Sequence, residues 1–299
     1  MSGEKRPPLR DIAEIIDKSG GLRHNGVSTL QGMAVIMAAY LIFDIETRVD
    51  KDLVKDVYDP ENALTTDQAY DTARDLILEQ SGQKSDFFPV PYHVPIAIST
   101  LQADEKYRIQ SLGCLGADRF SELEIVSRFW KIFESPRQTF VTFNGRGFDL
   151  PVLETRALKF GIPLKRYFDG GYRGNRYSDA LHIDLCDYLS NFGAAFRRNS
   201  LDVLSKLIGL PGKYSIEGED VEYLYRQGRQ KEINQYCVTD VLQTWILFLR
   251  VELMRGKLNP QDYRQAVEAT REYLAQKAED AGPDNFLLDF LNRWKPDEP

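Results

Sequence analysis

Cysteine is scarce: the 299 residues include three, Cys114, Cys186 and Cys237, each set singly in an apolar stretch and none in a CxxC pair. An odd number without ligand spacing argues against a disulfide framework and a zinc site, and fits a reducing compartment with all three as small core residues. Long apolar runs are also lacking. The longest, Met33 to Phe43, falls far short of the roughly 20 residues a membrane helix needs, so no membrane span is expected. Met1 to Arg10 is polar, holds Pro7 and Pro8, and has none of the apolar character of a secretory signal; the expected location is cytoplasmic. There is no internal repeat and no low-complexity segment. An excess of positive charge is missing too: 38 Lys and Arg against 45 Asp and Glu leave a net charge of -7, which taken alone disfavours a polyanionic partner. With 42% apolar residues, the chain has ample material for a buried core.

The charge is uneven along the chain. Arg48 to Pro91 holds five Lys or Arg against ten Asp or Glu, whereas Arg156 to Lys213 holds ten against five. The basic stretch interleaves aromatics, as in Lys165-Arg166-Tyr167-Phe168 and Tyr172-Arg173-Gly174-Asn175-Arg176-Tyr177. Cations beside flat rings suit a phosphate backbone with stackable bases. A solvated loop with half-buried tyrosines is the plainer reading of the same composition.

The order of elements reads as an α/β domain. Residues 1–37 form an N-terminal arm with one short helix, Leu9 to Lys18, stopped by Gly20 and Gly21. Ala34 to Ile45 is a continuous apolar run, the mark of a strand buried on both faces. An acidic insertion, about 49–91, carries a helix over Thr65 to Glu79. Val94 to Ala103 and Tyr107 to Leu115 form a hairpin. Then follow a helix at Ser121 to Phe133, a strand at Thr139 to Phe143, a helix at Leu150 to Phe160, a strand at Leu181 to Leu185, and helices at Leu201 to Ile208 and Lys231 to Arg250. This order predicts a mixed sheet flanked by helices over 38–255. Pro260 to Ala278 and Asp284 to Trp294 give a C-terminal helical extension, 256–299.

Acid-x-acid spacing arises often by chance among 45 acids, so Asp44-x-Glu46 matters only for its setting. Both end the most apolar strand, where period-2 alternation points them to one side. Two like charges at a core edge are costly unless a cation neutralises them, and hard divalent ions are the usual answer. Asp149 follows a short strand near a helix N-terminus, where the dipole favours a carboxylate. Tyr236 and Asp240, four apart, share one face of a core-packing helix. Each has an ordinary alternative: Asp149 as a cap, Asp240 as an ion-pair partner, Tyr236 as a core aromatic. His182 reads as a packed strand residue, and His24 and His93 have no partners by spacing.

Taken together and in this order, these residues resemble the DEDD superfamily of 3'-5' exonucleases, which have the RNase H-like fold. Phe43-Asp44-Ile45-Glu46-Thr47 matches the first motif, Asn144-x-x-x-Phe148-Asp149 the second and Tyr236-x-x-x-Asp240 the third. A tyrosine four before the last Asp marks the DEDDy variant; the histidine variant needs His at 235, where this chain has Gln235. The second motif is similar to that of the proofreading domain of family B DNA polymerases. The whole is most similar to stand-alone bacterial proteins described as predicted 3'-5' exonucleases related to it. His182-Ile183-Asp184-Leu185 fits that group, whose Asp here is not a primary metal ligand.

The resemblance implies an RNase H-like mixed five-stranded sheet flanked by helices. It implies a metal-dependent 3'-5' exonuclease with two divalent ions, Mg²⁺ or Mn²⁺, releasing nucleoside 5'-monophosphates from single-stranded 3' ends, DNA favoured over RNA. Asp44 would bridge both ions, Glu46 and Asp240 complete one site, and Asp149 hold the second. Tyr236 would orient the attacking water. Ile45, Thr47, Asn144 and Phe148 would meet the last nucleotides, and Arg173, Arg176, Arg197 and Arg198 the backbone. An exoribonuclease and a non-catalytic nucleic-acid-binding module on the same fold are the alternatives. The complete acid set speaks against the latter. No protein partner is indicated.

Overall fold

A computed structural model describes residues 39–116, 121–133, 138–172, 176–194, 199–212, 218–282 and 285–295. The N-terminal arm and its expected helix lie outside them. Strand β1 (Tyr40–Val49) is central, antiparallel to β2 (His93–Ala103) and parallel to β4 (Thr139–Thr142). Outside these lie β3 (Ile109–Cys114), antiparallel to β2, and β5 (His182–Asp184), parallel to β4. The order β3-β2-β1-β4-β5, with β2 alone reversed, makes this an RNase H-like mixed sheet.

The helices in chain order are α1 (Lys51–Tyr58), α2 (Thr66–Gln80), α3 (Glu122–Phe133), α4 (Asp149–Phe160), α5 (Lys165–Asp169) and α6 (Leu185–Leu189). They continue with α7 (Leu201–Leu207), α8 (Gly218–Arg226), α9 (Gln230–Met254), α10 (Pro260–Ala281) and α11 (Phe286–Arg293). Alternation along β1 divides the core between the two faces of the sheet. Leu41, Phe43 and Ile45 pack with Phe129, Phe140 and Leu153 on the α3/α4 side. Ile42 packs with Val141, Val241, Trp245 and Phe248 on the α9 side. The even-numbered side of β1 therefore faces α9, and Asp44 inherits that side.

Most of α9 is buried, including Val241, Leu242, Trp245 and Phe248. Each such side chain contributes roughly 1.5–3 kcal/mol through removal from water. α10 and α11 extend the same cluster through Tyr263, Leu274, Phe290 and Trp294, and the Trp245 indole N–H donates to Thr270 Oγ1 at 3.0 Å. Although α9 is 25 residues long, no described helix is long and apolar enough to cross a membrane.

The acidic insertion folds onto itself around Val54, Ala73 and Phe88. A capping box joins Thr65 and Gln68 at the start of α2, the helix expected from the sequence. Helices α1, α5, α6 and α8, of five to nine residues, were not expected. Arg156 of α4, nearly without exposure, bonds Asp50 at 2.8 Å and also pairs with Glu122, tying the insertion to the sheet's α3/α4 layer.

Candidate active site

Three separate elements meet at the C-terminal half of β1. Asp44 and Glu46 come from the strand itself. Alternation turns both toward α9, and a register shift between Glu46 and Thr47 interrupts the pairing with β2, which resumes from Thr47 opposite Pro95 to Val49 opposite His93. Ligand atoms of Asp44, Glu46 and Cys237 lie within 4.8 Å of one another. Asp149 arrives on the first turn of α4, and its Oδ1 accepts the Ile45 backbone N–H at 3.2 Å. This bond between the first and second motifs spans 104 residues of chain. Neither Asp149 nor Asp240 joins the Asp44 group at the same mutual distance, but charge links them through Asp149 and Tyr236. Burial, then the charges of Asp184 and Asp240, pushes the Asp149 carboxyl up to about 7. Burial, then the charges of Asp240, Glu46 and Asp44, pushes the Tyr236 phenol far above its ordinary value. Tyr236 therefore keeps its proton throughout the physiological range.

Cys237 needs separate treatment. Burial, with the Asp44 and Glu46 charges, raises its thiol well above the ordinary range, and its Sγ donates to the Asp44 carbonyl at 3.3 Å. A protonated thiol is no ligand for a hard cation. It packs under the strand with Ile96, Ala97 and Ile233, the small core residue expected. What remains is a set of carboxylate oxygens, two partly exposed and two buried. Like charges crowded so closely are stabilised by a divalent cation with oxygen ligands, so the residues present fit the metal ions that the motifs imply.

The loop that presents Asp149 is held from below by Asp184. The Asp184 carboxylate accepts the backbone N–H groups of Asn144 and Arg146, both at 2.9 Å. It also caps α6 through Cys186 and Asp187. Asn144 takes a left-handed backbone at φ 66°, a conformation asparagine tolerates better than most residues. Gly145 is required by close approach: a Cβ there would come 2.6 Å from Thr142, whose hydroxyl is engaged with His182 Nε2 at 2.8 Å. His182 itself is buried and its pKa lies well below the ordinary value, first through desolvation, so it is a neutral packing residue.

The remaining expected substrate residues divide. Ile45 contributes its backbone N–H to Asp149. The Thr47 hydroxyl bonds His93 Nδ1 at 3.0 Å. Phe148 stands at the N-cap position of α4 without a side-chain capping bond, and its ring meets His93 edge to face. Arg176 forms a two-pronged pair with Asp187, at 2.9 and 2.6 Å, beside a cavity of about 510 Å³ that Arg146 and Tyr172 also line. Arg173, Arg197 and Arg198 lie outside the described residues. His93, which has no partner by spacing, is the residue that sequence reasoning missed: it meets Thr47 only because β1 and β2 pair antiparallel.

Fold and site together are those of an RNase H-like mixed sheet with carboxylates gathered along its central strand. Residues 85–294 match the family model described as predicted 3'-5' exonuclease related to the exonuclease domain of PolB, and the chain belongs to that family. The match covers Asn144, Asp149, Tyr236 and Asp240 and begins after Asp44 and Glu46. No curated protein matches the chain. Among solved structures it is similar to an exonuclease I, with 9% identity, a TM-score of 0.36, and coverage of 80% of this chain and 44% of that one. A second exonuclease I, in complex with an SSB C-terminus, gives 13%, 0.33, 79% and 43%. The chain thus spans less than half the length of either.

Proposed function

We propose that the chain is a DEDDy-type exonuclease that hydrolyses the terminal phosphodiester of a single-stranded DNA 3' end and releases a nucleoside 5'-monophosphate, dependent on two divalent ions, Mg²⁺ or Mn²⁺. The observation that carries the reading is the convergence of Asp44 and Glu46 from β1, Asp149 from α4, and Tyr236 with Asp240 from α9. Divalent ions at such a site neutralise charge developing on the attacking and leaving oxygens of an in-line displacement. Asp44, Glu46, Asp149 and Asp240 would hold them.

The rest falls to the chain's own groups. Tyr236, locked as a donor, orients the attacking water toward phosphorus. Its helix is held by burial of Val241, Leu242 and Trp245, so the phenol is preorganised. Thr47, fixed by His93, is positioned to meet the terminal 3'-hydroxyl, and Asn144 with Phe148 lines the path of the last nucleotides. The reading is tested by incubating the purified protein with 5'-labelled single-stranded DNA and RNA in Mg²⁺ or Mn²⁺, beside Asp44→Ala and an EDTA control. Stepwise shortening of DNA from the 3' end is expected, lost in the variant and in chelator. Equal shortening by Asp44→Ala, or turnover in EDTA, would refute it. Faster shortening of RNA would replace the DNA assignment.

A further inference from the structure

The segment that closes the acidic insertion places two phenylalanines side by side in opposite environments. Phe88 is buried against Val54 and Ala73 and stacks on Tyr70 with ring centroids 5.3 Å apart. Phe87, the next residue, is 60% exposed. Its backbone is tethered: the Phe87 N–H donates to Ser85 Oγ at 3.2 Å, and Asp86 pairs with Arg74 at 2.6 Å. One face of the Phe87 ring lies on the His93 imidazole, centroids 4.7 Å apart and planes 26° from parallel. Phe148 meets His93 edge to face at 4.9 Å and 84°, and stands 5.5 Å from Phe87.

The middle ring of this group is immobilised. His93 Nε2–H donates to the Phe88 carbonyl at 2.9 Å, which leaves Nδ1 to accept the Thr47 hydroxyl at 3.0 Å. Burial holds the imidazole neutral. The three rings form a fixed step between Thr47, on the strand that carries Asp44 and Glu46, and Phe148, the residue immediately before Asp149. With one face of Phe87 on His93, its exposure leaves the other side of the ring accessible, next to Phe148.

We propose that Phe87, backed by His93 and Phe148, is a stacking platform for a nucleobase of the substrate strand a few residues upstream of the scissile phosphate. This rests on the exonuclease reading above and adds a substrate-positioning residue to it. Charge favours a base over the backbone as the contact: Arg48 to Pro91, the segment that delivers Phe87, carries ten acids against five Lys or Arg, so phosphates are repelled where a neutral π-face is not. Stacking of this kind tolerates every base, because each has a π-face. The platform therefore fixes strand position without reading sequence.

The test uses 5'-labelled single-stranded DNA with one abasic residue at successive positions from the 3' end. The wild-type protein is expected to slow at one fixed distance from the end. In Phe87→Ala that dip is lost and KM for intact strands rises roughly tenfold, the order expected for one stacked base, with kcat much less affected; Phe87→Trp restores both. Thermal melting should be little changed, because the side chain is exposed. Shortening with no dip, or with the same dip in Phe87→Ala, overturns the platform and leaves the exonuclease standing. A large fall in melting temperature would show that the ring is structural and also overturns it. If the wild-type protein shortens no strand, the exonuclease reading fails, and anisotropy with a labelled oligothymidylate decides the platform by itself: equal affinity of wild type and Phe87→Ala refutes it.

Discussion

Replacing Asp149 with Asn should stabilise the metal-free protein at neutral pH while removing its response to metal. The carboxyl is buried, 5% exposed, with Asp184 and Asp240 as charged neighbours, and its pKa stands at about 7 in the fold against 3.8 for the free side chain. A group whose folded pKa is raised gives its full stabilisation below the unfolded value and loses it as pH rises through the folded one. Wild-type protein in EDTA should therefore lose stability between pH 4 and 7. Three pKa units at about 1.36 kcal/mol each set a ceiling of roughly 4 kcal/mol. Because part of the repulsion is shared with Asp184 and Asp240, relief of about 2–4 kcal/mol is expected, a rise in Tm of about 4–8 °C for a chain of this size. Asn keeps the Oδ1 that accepts the Ile45 N–H, so the fold has no reason to shift. The assay is thermal melting in EDTA from pH 4 to 8, repeated with Mg²⁺. Asp149→Asn should match wild type at pH 4 and exceed it at pH 8, whereas Mg²⁺ should raise the Tm of wild type much more. No gain at pH 8, or an equal gain at pH 4, would refute the idea that ionisation of Asp149 works against the metal-free fold.

Tyr236→Phe should lower kcat by about 100-fold with little change in KM, since one oriented donor is lost; single-turnover rates should show a smaller loss than in Asp44→Ala. Because the phenol stays protonated, no alkaline limb below about pH 10 should belong to it. Asp184→Ala leaves the Asn144 and Arg146 N–H groups unpaired at a cost of about 1–3 kcal/mol each, and denaturation should show a lower midpoint together with reduced activity from a loosened Asp149 loop. Asp184→Asn, which keeps one acceptor, should recover part of both. Arg156→Ala strands Asp50 and Glu122 against the α4 face, and chemical denaturation should show a loss of about 3–5 kcal/mol.

Apolar runs placed the five strands and the longer helices, the first strand being expected at Ala34 to Ile45 and found at Tyr40–Val49, while β4 and β5, at four and three residues, left only short runs. β1 and α9 are the clearest cases. The order of those elements was enough to specify a mixed sheet, and the three spaced motifs along it named Asp44, Glu46, Asp149, Tyr236 and Asp240. The charge balance gave a misleading first impression, since a net -7 averages an acidic insertion with a basic stretch.

Other features required the folded chain. Asp184 acts on Asn144 across 40 residues, and a hydrogen bond over that span has no spacing rule. His93 reaches Thr47, and Phe87 reaches Phe148, only through the register of β2 on β1, which the shift at Glu46/Thr47 sets. The burial that chiefly raises Asp149 and Tyr236, and the repulsion that adds to it, likewise exist only once three elements bring these groups into one corner. The sequence thus named the candidate groups, because the spelling and spacing of the three motifs are written in it. Only the tertiary structure decided how those groups are held, because their supports lie tens of residues away.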